Sequence, residues 1–507
     1  MKNSKYILLL LGLSLLIGCN EPEDVLEDFN ALPKEVAELP ALTAGSADFS
    51  NYVAIGASFT AGFTDNALFI AAQANSFPNM LASEFAKIGG GEFNQPLMND
   101  NVGGLLLGGN IIQGPRLFFN GSGPQLVPGA PTTEVTSVLS GSFNNMGIPG
   151  AKSFHFVAPG YGNVAGVALG LANPYFARMA SGASTTVLTD ALAQSPTFFT
   201  LSEVGGNDVL GYALSGGSGV DQTGNFDPAT YGGNDITDPT VFAQVINSMI
   251  SALTQNGAKG VVTTIPDITS LSHFTTVPYN PVPLDGGTAA ALNQGYAAYN
   301  GGLQQAYNAL AGTGLFTEEE LLRRTISFSA GEGNAMVIID EDLTDLGAIN
   351  PAFAGIPQYR QATEDDLFVL TLSTLIPQGY GTQIPLDDRW CLTPEEQVNL
   401  ATATSSYNAT IEAIASSNPN VALADLRSVL EQAANGGYPI GNYTLTTDLV
   451  TGGLVSLDGV HLTARGYALM ATEFLKAIDS KFGSNFIESG SVPNAGNFPT
   501  NYPPQLP

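Results

Sequence analysis

Two patterns of apolar residues alternate along this chain. Short continuous runs recur at 52–55 (YVAI), 197–204 (TFFTLSEV), 260–265 (GVVTTI) and 421–425 (VALAD). Runs of this length that stop at glycine, proline or small polar residues predict buried strands. Between them the spacing changes to three and four. Phe77, Met80, Leu81 and Phe85 predict a helix over 76–87, with Pro78 suited to its first turn. Val245, Ile246, Met249, Ile250 and Leu253 predict a second over 241–255. Further helices are expected over 288–310, 318–324, 393–416 and 463–480, the third opened by Thr393 and Glu396 at capping-box spacing.

Strands alternating with helices predict an α/β fold: a parallel sheet with helices on both faces, a three-layer α/β/α sandwich. The folded domain is expected over 51–482. Three Gly-rich or mixed stretches interrupt it, at about 88–142, 211–240 and 270–390. The last carries helices and strands of its own with no flexible linker at either end, and reads as a lid or cap. Residues 144–151 (NNMGIPGA) read as a loop opening a short helix, and 483–507 as an irregular tail.

Composition narrows the function. Among 507 residues, 44% are hydrophobic and only 12% charged, while 58 glycines and 31 prolines imply long loops. Forty-five acids against 16 Lys and Arg give a net charge of −29. No basic footprint exists to neutralise phosphates, which argues against nucleic acid as partner. Two cysteines cannot make a disulfide framework. Lys2 and Lys5, the apolar run 7–17 and Gly18-Cys19 have the anatomy of a cleaved leader over 1–18. Leu16-Ile17-Gly18-Cys19 resembles the bacterial lipobox, which implies a lipidated Cys19, a polar tether over 19–50 and membrane attachment at the cell envelope. The acids after Cys19 resemble surface-export signals of Bacteroidota lipoproteins.

Candidate chemistry sits where the runs end. Ser58 follows the first, in Gly56-Ala57-Ser58-Phe59-Thr60-Ala61-Gly62. Near the other end of the chain, Asp458 and His461 are three apart around Gly459. A carboxylate so placed can hold one imidazole nitrogen while the other faces outward, the orienter and base that activate a serine. His155 and His273, the other histidines, have no such partner in sequence. The block around Ser58 lacks the second glycine of G-x-S-x-G, which disfavours the usual α/β-hydrolase elbow.

Four blocks resemble those of the SGNH (GDSL) hydrolases. They are the Ser58 segment, residues 144–151, Gly205-Gly206-Asn207-Asp208, and Asp458 to His461. The resemblance implies a flavodoxin-like sandwich and hydrolysis of carboxylic esters, on acyl lipids or acetylated glycans. Ser58 would be the nucleophile, with Asp458 and His461 completing the triad. The Ser58 and Gly150 N–H groups and the Asn207 amide would form the oxyanion hole. No cofactor or metal is implied, and the acidic stretch Asp340-Glu341-Asp342-Asp345 reads as a solvated turn. Ala57 stands where the family has Asp, and Phe59 where it has Leu. A second Gly232-Gly233-Asn234-Asp235 follows no apolar run and reads as loop. The alternative is a non-catalytic lipoprotein that binds lipid or glycan, or assists an outer-membrane barrel protein.

Overall fold

The computed structural model describes residues 38–506. The leader, Cys19 and most of the expected tether lie outside them. Residues 38–41 with 488–490 form a small separate unit, and everything below concerns the main unit, 42–487 with 491–506.

The first strand, β1 (Tyr52–Gly56), is wholly buried, because a strand inside a parallel sheet meets covering layers on both faces. It gives way at once to a one-turn helix, α1 (Ser58–Ala61), and then to α2 (Phe77–Phe85), with Pro78 in its first turn. Strand β2 (Asn145–Gly147) follows the first insertion, and β3 (Phe198–Ser202) leads into α3 (Asn207–Leu214). Helix α4 (Pro239–Thr254), capped by Asp238, precedes β4 (Lys259–Thr263). After helix α5 (Gly286–Ala309) and the rest of the third insertion come α6 (Pro394–Ser417), β5 (Val421–Ala424), α7 (Leu426–Ala434) and α8 (Ala464–Phe482). The capping box of Thr393 and Glu396 opens α6 as expected.

All five strands run parallel, in the order β5-β4-β3-β1-β2. Helix α2 packs against α8 and α4 against α6. The fold is α/β around a central five-stranded parallel sheet, an arrangement compatible with three layers. Strand order reverses between β1 and β3, and open α/β sheets bind their ligands outside the carboxyl ends of such a pair.

Three expectations need correction. Residues 145–147, read as loop, form edge strand β2, paired with β1 from Ala54–Asn145 to Gly56–Gly147. Residues 211–214, read as part of a loop insertion, belong to helix α3, and helix α7 follows β5 directly. Residues 47–50, read as tether, belong to the domain: Phe49 is buried and stacks on Phe85 at 4.1 Å, with Phe198 at 4.7 Å. Aromatic pairs of this kind add about 0.5–1.5 kcal/mol each to their burial.

The first insertion folds into two small hairpins, Leu105–Leu107 with Asn110–Gln113 and Leu117–Phe119 with Pro124–Leu126. The third has apolar cores of its own around Leu292, Tyr296 and Phe328, and around Leu303, Phe316 and Leu346. Among the described residues no helix is long and apolar enough to cross a membrane.

Candidate functional site

Ser58 opens α1, directly past the carboxyl end of β1, and is largely buried. Asn207 opens α3, past the end of β3. The strand reversal therefore brings two of the four blocks side by side. Asn207 Nδ2 donates to the Ala151 carbonyl at 3.0 Å, which ties the turn carrying Gly150 to the start of α3. Gly150 has φ +80 and faces open space.

The Asp458 loop is built around the imidazole. Asp458 Oδ2 meets His461 Nδ1 at 2.9 Å, while Oδ1 accepts the N–H groups of Val460 and His461, both at 2.8 Å. Asn66 N–H donates to Oδ2 at 2.8 Å. Burial alone would raise this carboxyl, but the imidazole and the converging N–H groups hold it well below the usual carboxylate range. The aspartate is therefore ionised and fixes which ring nitrogen faces it. Phe63 lies against the His461 ring at 4.5 Å between centroids, and Phe59, next to Ser58, at 5.8 Å. No hydrogen bond joins Ser58 Oγ to His461, and such contacts often close only when substrate is bound.

The loop is braced from two sides. His273 N–H donates to the Gly459 carbonyl at 3.0 Å, and its Nδ1 lies 3.3 Å from the Asp458 carbonyl. Gly459 has φ +78, and a Cβ there would come within 2.8 Å of His273 N. Across from it, Asp65 and Asn66 both adopt left-handed backbone. Asp65 accepts the Leu457 N–H at 3.1 Å and is pushed up to about 7, first by burial and then by the nearby Asp458. His273 is thus structural. So is His155, which stacks on Tyr161 at 4.2 Å and accepts the Lys152 N–H.

One important residue is not legible in the four blocks. Glu203, directly after β3, has φ +52, a conformation that side-chain-bearing residues rarely take and that recurs at functional sites. Its Oε1 accepts the Thr60 N–H at 2.9 Å, at the first turn of the Ser58 helix. Ala57, at the N-cap of that helix, has no side chain that can do this. Glu203 Oε2 is buried with no hydrogen-bond partner. Burial pushes the carboxyl up to about 8, against the opposing pull of the Thr60, Ala57 and Phe59 N–H groups.

Beside Ser58 and Asn207 opens a narrow cleft. Its walls are almost entirely apolar, with Leu210, Ile268, Val429, Leu430, Leu454 and Met470 among them. Of the 270–390 stretch only Leu271, at its very start, lines it, so the body of the third insertion does not roof it as a cap would. The Gly232–Asp235 segment lies elsewhere, with Asp235 taking bonds from the Val220 and Gly232 N–H groups.

No known protein family, curated protein or solved structure matches this chain.

Proposed function

We propose that the chain is a serine ester hydrolase of the SGNH type, acting on carboxylic esters with apolar acyl chains. The observation that carries this reading is the Asp458–His461 pair, 2.9 Å apart, in a loop whose ring packs on the residue following Ser58. Ser58 attacks the ester carbonyl while His461 takes its proton and later returns it to the leaving alcohol. Asp458 holds the imidazole and balances its charge as it becomes imidazolium. The Ser58 and Gly150 N–H groups and the free Asn207 amide hydrogen receive the negative charge that develops on the carbonyl oxygen. The apolar walls beside Ser58 favour an acyl chain over the acetyl group of a glycan: each buried methylene contributes about 0.8 kcal/mol, whereas acetyl offers almost nothing to bury.

The lipobox resemblance at Cys19 supports attachment to the bacterial envelope, outer membrane included, with substrate drawn from lipid. The missing Ser58–His461 hydrogen bond favours a second reading, a lipid-binding lipoprotein without catalysis that serves a membrane partner. One assay separates them. The full-length chain in detergent is given p-nitrophenyl esters from acetate to palmitate, beside Ser58→Ala. Activity with an optimum beyond acetate, abolished by the substitution, supports the hydrolase. Equal inertness of both proteins across the panel rejects it. Cys19→Ala should release the protein from membranes, and unchanged association would reject the anchor.

A further inference from the structure

The acidic stretch that the sequence reads as a solvated turn divides in the structure. Asp340 is buried and pairs with Arg360 and, at 3.1 Å, with Arg323. Asp345 caps the short helix that follows it, accepting the Gly347 and Ala348 N–H groups. Glu341 has different company. One of its carboxylate oxygens lies within 4.8 Å of one from Asp388 and one from Glu396. Among the described residues no Lys, Arg or His forms an ion pair with any of the three.

Exposed acidic groups often gather without consequence, but two observations set this cluster apart. Glu396 is only 5% exposed; its Oε2 accepts the Thr393 N–H at 2.6 Å and the Thr393 hydroxyl at 2.9 Å. Its other oxygen, Oε1, is buried and has no hydrogen-bond partner. Secondly, the loop after α3 closes onto that oxygen. A Cβ at Gly217 would lie 1.8 Å from Oε1, so only bare backbone fits beside it.

We propose that Glu341, Asp388 and Glu396 form a calcium site. Calcium takes about six to eight oxygens in flexible geometry, whereas magnesium demands a near-ideal octahedron, so three carboxylates drawn from separate segments suit the larger ion. All three ligands are hard oxygens, with no His or Cys in the cluster to favour zinc or copper. Water completes the shell. The C-terminal end of α3, just before Gly217, adds the negative end of a helix dipole. Glu341 and Asp388 belong to the third insertion, and Glu396 to the first turn of α6. The ion therefore fastens the insertion and α6 to the far end of the helix that begins with Asn207. Nothing in this assignment depends on ester hydrolysis.

Trp390, the only tryptophan in the chain, is two residues from Asp388 and serves as an internal antenna. The full-length chain in detergent is stripped with EDTA, then titrated with calcium chloride, and separately with terbium while Trp390 is excited. Calcium at a hundredfold excess over its Kd should raise Tm by about 3 °C for a chain of this size. Terbium emission should appear and be chased by calcium. Glu341→Gln and Asp388→Asn should each weaken terbium binding tenfold or more while far-UV circular dichroism stays unchanged. A Tm indifferent to calcium, terbium emission unaffected by both substitutions, or an equal response to magnesium would overturn the assignment.

Discussion

Glu203 Oε1 accepts the main-chain N–H of Thr60 at 2.9 Å, so a residue from the end of β3 caps the helix that presents Ser58. The sequence alone leaves Ala57 as an unexplained departure from the GDSL pattern. The structure supplies its counterpart in Glu203, 143 positions from the Thr60 N–H that it caps. Capping from outside leaves the Ser58 N–H free, the group that the proposed chemistry assigns to the oxyanion.

This contact makes a signed prediction about pH. Glu203 is pushed from 4.5 up to about 8 in the folded chain, so between those values the native state holds a proton that the unfolded state has released. Stability must then fall as pH rises through this window. Asp65, Asp388 and Glu396 are raised too and slope the same way, so the contribution of Glu203 is a difference. Glu203→Gln should flatten the fall in urea midpoint between pH 5 and 9, and an unchanged slope would refute the role. A carboxylate formed above pH 8 would also repel the oxyanion. The wild-type kcat/KM should therefore drop there, and the Gln variant should lose that alkaline limb. Asp65, Asp458 and Tyr467 also lie around the site, and both proteins share them.

Asp458→Asn keeps the loop's size but removes the charge that opposes imidazolium and the acceptor that fixes the ring. A loss in kcat on the order of 10³–10⁴-fold is expected, with KM little changed. Asn207→Ala should cost about 10²–10³-fold through the lost oxyanion donor, with the loosened Ala151 turn adding to it. A parallel rise in KM would point to damaged binding instead.

Val429→Trp narrows the apolar cleft from α7, where a half-buried position tolerates bulk. Excluding three methylenes at about 0.8 kcal/mol each lowers kcat/KM for long esters by about 50-fold. Acetate hydrolysis should be unaffected. Equal loss on every chain length would show that the cleft does not hold the acyl group.

Gly459→Ala forces a side chain into left-handed backbone and against His273 N at 2.8 Å. The conformation alone costs about 1–2 kcal/mol, and the contact adds to it. Urea unfolding should show this loss, together with reduced activity, since the displaced segment is the one that aims His461.

Legibility differed between elements for identifiable reasons. Strands β1, β3, β4 and β5 announce themselves because buried parallel strands are continuously apolar. Strand β2 does not: it is three residues on an edge, its Asn145 buried by donating to the Thr60 carbonyl and its Gly147 bare. Helix α3 hides behind two glycines, and α7 behind the strand that runs straight into it. At the site, Asp458 and His461 are readable because their contact is local, three positions apart. Glu203 and Asp65 are not, since their partners are distant in sequence and their importance rests on backbone conformation. The acidic turn near 340 was legible as composition only, and its division among arginines, a helix cap and a carboxylate cluster required the fold.

Helix α8 clasps the first βα segment of the domain: Phe474 stacks on Phe77 at 4.9 Å, and the Tyr467 hydroxyl donates to the Phe63 carbonyl at 2.6 Å. Ser58 and His461 are 461 − 58 = 403 positions apart. A growing chain therefore carries Ser58 through the synthesis of all those positions with neither His461 nor its clasp. The proposed chemistry would stay silent until α8 docks, and a product truncated before residue 464 would lack the helix that completes this part of the core.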